Sequence, residues 1–221
     1  MNKNKILVKT EAYVRQKLEG EGSGHDWWHI HRVRNVALQI GKQEKADLFV
    51  VELAALLHDI ADHKFHGGNE DIGPATARKW LEELEVPEPI IKHVTNIIRD
   101  VSFKGAEVDT PMKTVEGKVV QDADRLDALG AIGIARAFAY GGYKERELYN
   151  PDIKPESHRS FEDYKKSTGP TINHFYEKLF LLKDRMNTES GRKIADERHK
   201  YMEDFVARFL REWEGTSNNT F

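Results

Sequence analysis

The dipeptide His58-Asp59 closes an apolar run, Val50-Val-Glu-Leu-Ala-Ala-Leu-Leu-His-Asp59. An imidazole beside a carboxylate on an otherwise aliphatic helix is hard to explain as packing. Burying an unpartnered carboxylate is costly, so such a group is normally paired or bound to a metal. Two further polar segments can complete a site with it. One is Trp27-Trp-His-Ile-His-Arg-Val33, which offers His29; the other is Gln121-Asp-Ala-Asp-Arg-Leu-Asp127, which offers Asp124. Two imidazoles and two carboxylates make a donor set suited to a divalent cation such as Mn, Fe, Ni, Co, Zn or Mg. Metal-assisted hydrolysis is the chemistry such a set serves.

Each of these residues also has a plainer explanation. Successive side chains on a helix diverge by roughly 100°, yet His58 and Asp59 can both reach a cation beside the axis. Asp62 lies four residues past His58 and shares its face, where it could accept a proton or hold a water in line. A buried His–Asp hydrogen bond, with Asp62 capping the helix, accounts for the same residues without metal. His29 has rivals in His25 and His31. His29 lies on one helical side with Arg32, Val33 and Val36 and so borders the buried face, whereas His31 points elsewhere and His25 precedes the helix. Among Asp122, Asp124 and Asp127, periodicity makes no choice: Val119, Val120, Ala123 and Leu126 define a core side that leaves each acid near its edge.

Helical periodicity positions all of these groups. Ile6, Tyr13, Val14 and Leu18 form a first stripe, ended by Gly20-Glu-Gly-Ser-Gly24. A second helix is expected from the N-cap Asp26 to about Gly41, with Ile30, Val33, Val36, Ala37 and Ile40 facing inward. A third, over about 47–62, is apolar on nearly all sides and should be the central buried helix. Further helices are expected over about 72–84, from about Ile90, and over 114–127, with loop at 101–113. The small-residue run Ala128–Phe138 also reads as helix. From 141 to 170 the chain is polar and turn-rich, which fits a lid or a disordered insertion. Two C-terminal helices should span 171–184 and 189–214. In the latter, Ile194, Tyr201, Met202, Phe205, Phe209 and Trp213 form one face, free to pack on its own domain or to support a homodimer. The fold class is all-α, one domain over 1–215 with a disordered tail at 216–221.

Bulk properties narrow the function classes. A chain of 221 residues with 39% hydrophobic and 32% charged residues can bury a real core. Its net charge of −3 gives no general attraction to nucleic acid or to an anionic membrane. No apolar run approaches a membrane span, and Ile6-Leu-Val8 is too short for a signal-peptide core. With no cysteine there is no thiolate ligand, thiol nucleophile or disulfide frame. Cytoplasmic residence is expected.

The arrangement of a histidine, a His-Asp pair and a distant aspartate on a helical background resembles the HD superfamily of metal-dependent phosphohydrolases. Longer strings sharpen the likeness: Gly24-His-Asp-Trp-Trp-His29, Leu53-Ala-Ala-Leu-Leu-His-Asp-Ile-Ala-Asp62 and Asp122-Ala-Asp-Arg-Leu-Asp-Ala-Leu-Gly-Ala-Ile-Gly-Ile-Ala-Arg136. Ala139-Tyr-Gly-Gly142 and His174-Phe-Tyr-Glu-Lys-Leu179 extend it to nearly the whole chain, which is similar to the bacterial YpgQ/YedJ-like branch. The resemblance implies an HD-type helical bundle whose four ligands, His29, His58, Asp59 and Asp124, hold one divalent metal ion. The Asp-x-Asp-Lys/Arg form of the last motif selects Asp124. His93 is the one well-spaced candidate for a second metal and reads as a core or supporting residue.

By the same resemblance, water attacks phosphorus at the metal, with Asp62 as general base or positioning group. Lys64, Arg125, Arg136, His174 and Lys178 are the candidate phosphate contacts; His63 and His66 read as solvated loop histidines. There is no Walker-type glycine loop. The expected substrate is a nucleotide or similar small phosphate ester, with (deoxy)nucleoside triphosphate hydrolysis to monophosphate and pyrophosphate among the options. 5'-Nucleotidase and cyclic-nucleotide activities remain alternatives. So do a non-catalytic nucleotide-sensing module and an iron-dependent HD oxygenase.

Overall fold

The computed structural model describes residues 1–20, 26–61, 71–101, 110–156 and 169–216. His25, Asp62, His63, Lys64 and His66 lie outside them, as do residues 157–168 of the polar stretch.

Helix α3 (Leu48–Leu57) is the axis of the fold, with Phe49–Val51 and Leu53–Leu57 buried. Such a helix needs neighbours on every side. It has them in α1 (Lys3–Leu18), α2 (Trp27–Gln43), α5 (Glu88–Val101) and α6 (Val115–Leu126), while α4 (Ile72–Glu83) packs on α5. Side-chain oxygens start several of these helices by accepting otherwise orphaned backbone N–H groups. Asp26 accepts from His29, Asp47 from Phe49 and Thr114 from Gly117.

The central helix is shorter than its periodicity suggests. It stops at Leu57, and the Ile60 N–H donates back to the Leu57 carbonyl in a tight turn. The reason is local: His58 Nδ1 lies 2.9 Å from the Ala55 carbonyl, so the imidazole caps a carbonyl that a continuing helix would use. His58 and Asp59 therefore project from a helix terminus, not from a helix middle.

Beyond α6, α7 (Gly130–Tyr143) starts at a glycine with φ of +73° and runs five residues past the expected Phe138. The helix expected over 171–184 is broken. It becomes α8 (Asn173–Glu177) and two 3₁₀ turns, Leu179–Leu181 and Lys183–Arg185. Lys178 leaves the helical region (φ −142°), and Leu179 and Leu182, three apart, both become buried, as the eclipsed spacing of 3₁₀ structure allows.

Helix α9 (Glu189–Trp213) packs within its own chain on α7, α6 and α2. Phe205 and Phe209 join Phe138 of α7 and Phe175 of α8, with ring centroids 6.0–6.2 Å apart. Tyr201 and Trp213, expected on this face, are 56% and 47% exposed; Met202 is buried as expected, and Ala195, His199 and Val206 complete the buried stripe. Part of the polar stretch is tied to the same helix. Tyr149 meets Trp213 edge-on at 5.3 Å, and the Thr171 and Ile172 amides bond to the Glu147 and Leu148 carbonyls. No strand occurs among the described residues, and none of their helices is long and apolar enough to cross a membrane.

Candidate metal centre

His29 sits in the first turn of α2, where its amide donates to Asp26 Oδ1 at 2.8 Å. Its ring is almost wholly buried, and Nδ1 lies 2.7 Å from Asp127 Oδ2. A carboxylate can only accept, so Nδ1 carries a proton, and in the neutral ring Nε2 is left with a lone pair. His58 follows the same logic from another element. Its Nδ1–H is taken up by the Ala55 carbonyl, and Nε2 faces inward. The two Nε2 atoms stand 3.2 Å apart.

Two carboxylates complete the cluster. Asp59 Oδ2 is 3.3 Å from His29 Nε2 and 3.5 Å from His58 Nε2. Asp124 Oδ1, from α6, is 3.4 Å and 3.8 Å from the same two nitrogens. Donors each about 2.0–2.2 Å from one ion would lie about 3 Å apart when adjacent and just over 4 Å when opposite. The donors of His29, His58 and Asp59, 3.2–3.5 Å apart, therefore fit a shared cation, and Asp124 stands beside both nitrogens.

The electrostatics agree with the distances. Lone pairs and carboxylate oxygens facing one another inside the protein repel unless a cation sits among them. Burial pulls the His29 pKa down, yet hydrogen bonds to Asp124, Asp127 and Asp59 outweigh it and hold it well above the ordinary histidine value. Asp124 shows the converse: burial pushes its carboxyl up, and His29 and His58 bring it below the usual range. The pocket stabilises positive charge, and its nitrogen and oxygen donors suit a divalent ion.

The three acids of α6 separate by their partners. Asp124 joins the cluster. Asp122 is fully buried and accepts from the backbone and side chains of Asn187 and Thr188 at 2.7–2.8 Å, which anchors the start of α9. Asp127, just past the helix end, receives His29 Nδ1–H, Arg32 Nε at 2.7 Å and Nη2 at 3.0 Å, and Arg136 Nη1 at 2.7 Å. Periodicity left Asp127 level with Asp122 and Asp124, and the Asp-x-Asp-Lys/Arg resemblance passed over it; its partners lie up to 98 positions away. The signal available for it was the pair of arginines, Arg32 and Arg136, on neighbouring segments.

The remaining expected contacts divide. Asp62 and Lys64 fall outside the described residues. Arg136 stands beside the centre through Asp127. Arg125 is buried; Nη1 donates to the Arg185 carbonyl and Nη2 to Thr110 Oγ1 at 3.1 Å, ties that serve the fold. His174 is influenced by Lys178 and Arg146, so these three groups lie near one another. Burial, then the two cations, pushes the His174 pKa down to about 3, which makes it a neutral ring at neutral pH. His93 Nε2 lies 2.9 Å from Thr114 Oγ1 and 3.6 Å from Glu116 Oε2, a link between α5 and the start of α6.

Comparison with known proteins gives a consistent result. The family model described as HD domain matches residues 27–129, the span from the α2 start to just past Asp127. The curated protein YpgQ of Bacillus subtilis, described as uncharacterized, is 38% identical over the full length of both chains. The crystal structure of an HD-superfamily hydrolase from Bacillus thuringiensis is 46% identical, with a TM-score of 0.77 over 96% of this chain and 99% of that one. The structure of Bacillus subtilis YpgQ in complex with ADP matches with 38% identity and a TM-score of 0.72, over 93% and 96% of the two chains.

Proposed function

The chain belongs to the HD family, and from that premise we propose that it is a metal-dependent phosphohydrolase of nucleotides, cleaving (deoxy)nucleoside triphosphates to monophosphate and pyrophosphate. The observation that carries the metal part is the convergence of the His29 and His58 Nε2 atoms, whose Nδ1 atoms are each engaged elsewhere, with Asp59 and Asp124. The nucleotide part is supported by the ADP complex of a relative 38% identical to this chain.

In this reading His29, His58, Asp59 and Asp124 hold one divalent ion. When bound, such an ion acidifies water and polarises a phosphoryl oxygen. Charge developing on the phosphoryl group calls for cations nearby. Arg136 is assigned that role next to the centre, with Lys178 and the neutral donor His174 farther along; Lys64 is proposed from its position after the His-Asp pair. Arg125 is the weakest of the set, given its ties to Arg185 and Thr110. Asp62 is proposed to accept the proton from the attacking water, four positions beyond His58.

The test is a chelator-stripped enzyme given Mn, Mg, Co, Ni, Fe or Zn singly, with a nucleotide panel resolved by chromatography. Turnover with one or more metals, lost in Asp59→Ala, is the expected result, with pyrophosphate as the second product. Inorganic phosphate as the product would move the cleavage to the terminal phosphate. Tight nucleotide binding with no turnover under any metal would overturn the enzyme in favour of a sensing module.

A further inference from the structure

Asp127 lies outside the set of four ligands, yet its carboxylate accepts four hydrogen bonds beside them, all from groups on α2 and α7. One side chain, 4% exposed, accepts three hydrogen bonds from α2 (one from His29, two from Arg32) and one from α7 (Arg136). Its Oδ2 is shared by His29 Nδ1 and Arg136 Nη1, each at 2.7 Å, and Arg32 Nη2 at 3.0 Å, while Oδ1 takes Arg32 Nε at 2.7 Å. Fixing that oxygen fixes the His29 ring, because the only other ring nitrogen then points at Asp59, Asp124 and His58. A carboxylate on the far nitrogen also makes the imidazole a stronger donor.

The charge pattern adds a second argument. With both histidines neutral, the two guanidinium groups of Arg32 and Arg136 would stand behind a site meant for a dication. Asp127 is the anion between them and the centre.

We propose that Asp127 is a positioning residue that sets the metal affinity of the centre. It locks His29 in the Nδ1–H form and screens the ion from Arg32 and Arg136. His58 has no such partner, since its Nδ1 meets a neutral carbonyl. The two histidines are therefore unequal ligands, and His29 is the one whose strength the protein tunes. This rests on the metal-centre reading above.

The test uses the full chain and Mn²⁺ alone, titrated by calorimetry into chelator-stripped wild type, Asp127→Asn and Arg136→Gln. Asp127→Asn keeps the shape but removes the charge, and a loss of about 10–100-fold in Mn²⁺ affinity is expected for such an outer partner. Arg136→Gln should move affinity far less, because Arg32 and His29 still hold Asp127. A role confined to folding would lower thermal stability of the stripped protein and leave Mn²⁺ affinity of the folded variant untouched. That result overturns the proposal. A wild type that binds no Mn²⁺ overturns the metal reading itself, and the proposal with it. If Asp127→Asn does not fold, nitrogen-15 NMR of zinc-loaded wild type decides: His29 must show a slowly exchanging proton on Nδ1. A proton on Nε2, or none on Nδ1, overturns it.

Discussion

Asp122, Asp124 and Asp127 share one end of α6, and their partners decide what each carboxylate does. Asp122 faces four donors of Asn187 and Thr188, Asp124 faces two imidazoles, and Asp127 faces an imidazole and two guanidiniums. The cluster around His29 carries a pH signature. In chelator-treated protein the folded pKa of His29 lies well above about 6.5, its ordinary value. A histidine with a raised folded pKa contributes stability that is complete below the unfolded pKa and is lost as pH rises through the folded one. Asp124 and Asp127 are shifted the opposite way, so their contribution is present above about pH 3.9 and is lost as pH falls through their depressed values. Thermal melts in chelator should therefore show the highest Tm between about pH 4 and 6.5 and a decline above it. His29→Gln should flatten the alkaline decline. A wild-type Tm that rises or stays level from neutral to alkaline pH would contradict the arrangement around His29. Metal competes with the same proton, so Mn²⁺ affinity should increase across that alkaline window.

At the scale of elements, close approach between α7 and the chain after the polar stretch depends on one glycine. A Cβ added to Gly141 would stand 2.1 Å from Thr171 Oγ1, a buried hydroxyl with no hydrogen-bond partner. Gly141→Ala should destabilise by about 1–3 kcal/mol, the usual cost of overpacking. Thr171→Ala removes an unsatisfied hydroxyl and should cost little. The double variant should then be clearly more stable than the sum of the singles, read from urea unfolding midpoints; strict additivity would mean that the contact does not hold the two segments at this distance. Elements such as α2 and α9 are legible in the sequence because caps and stripes agree there, as Asp26 and Thr188 illustrate. The ends of α3 and α8 are not. At His58 a side chain captures the backbone carbonyl that periodicity assigns to the helix, and at Lys178 leucines three apart favour a tighter turn. Both outcomes depend on tertiary burial, which a stripe of apolar residues signals without fixing the pitch.

For the whole molecule, the proposed ligands arrive from three places: His29 from α2, His58 and Asp59 from the end of α3, and Asp124 from α6. Donor types were readable from sequence, and the resemblance to HD proteins picked these four. The support behind them was not readable, because Asp127 meets His29 across 98 positions and Arg32 across 95. Those same helices form the contacts around the buried axis of the fold. A cation held by all three would cross-link the core and bind the folded chain alone, so metal should raise stability by mass action. At a free Mn²⁺ concentration 100 times Kd the gain is about 2.7 kcal/mol. For a domain of this size each kcal/mol moves Tm by about 2–4 °C, which gives an upward shift of about 5–11 °C. Stepwise Mn²⁺ addition to stripped protein, followed by thermal melts, measures it. Asp59→Ala should show no shift at the same concentration, and Asp127→Asn should need more metal to reach the same Tm. A wild-type Tm that does not respond to any of the divalent ions would mean that the four side chains are held together by protons and packing alone.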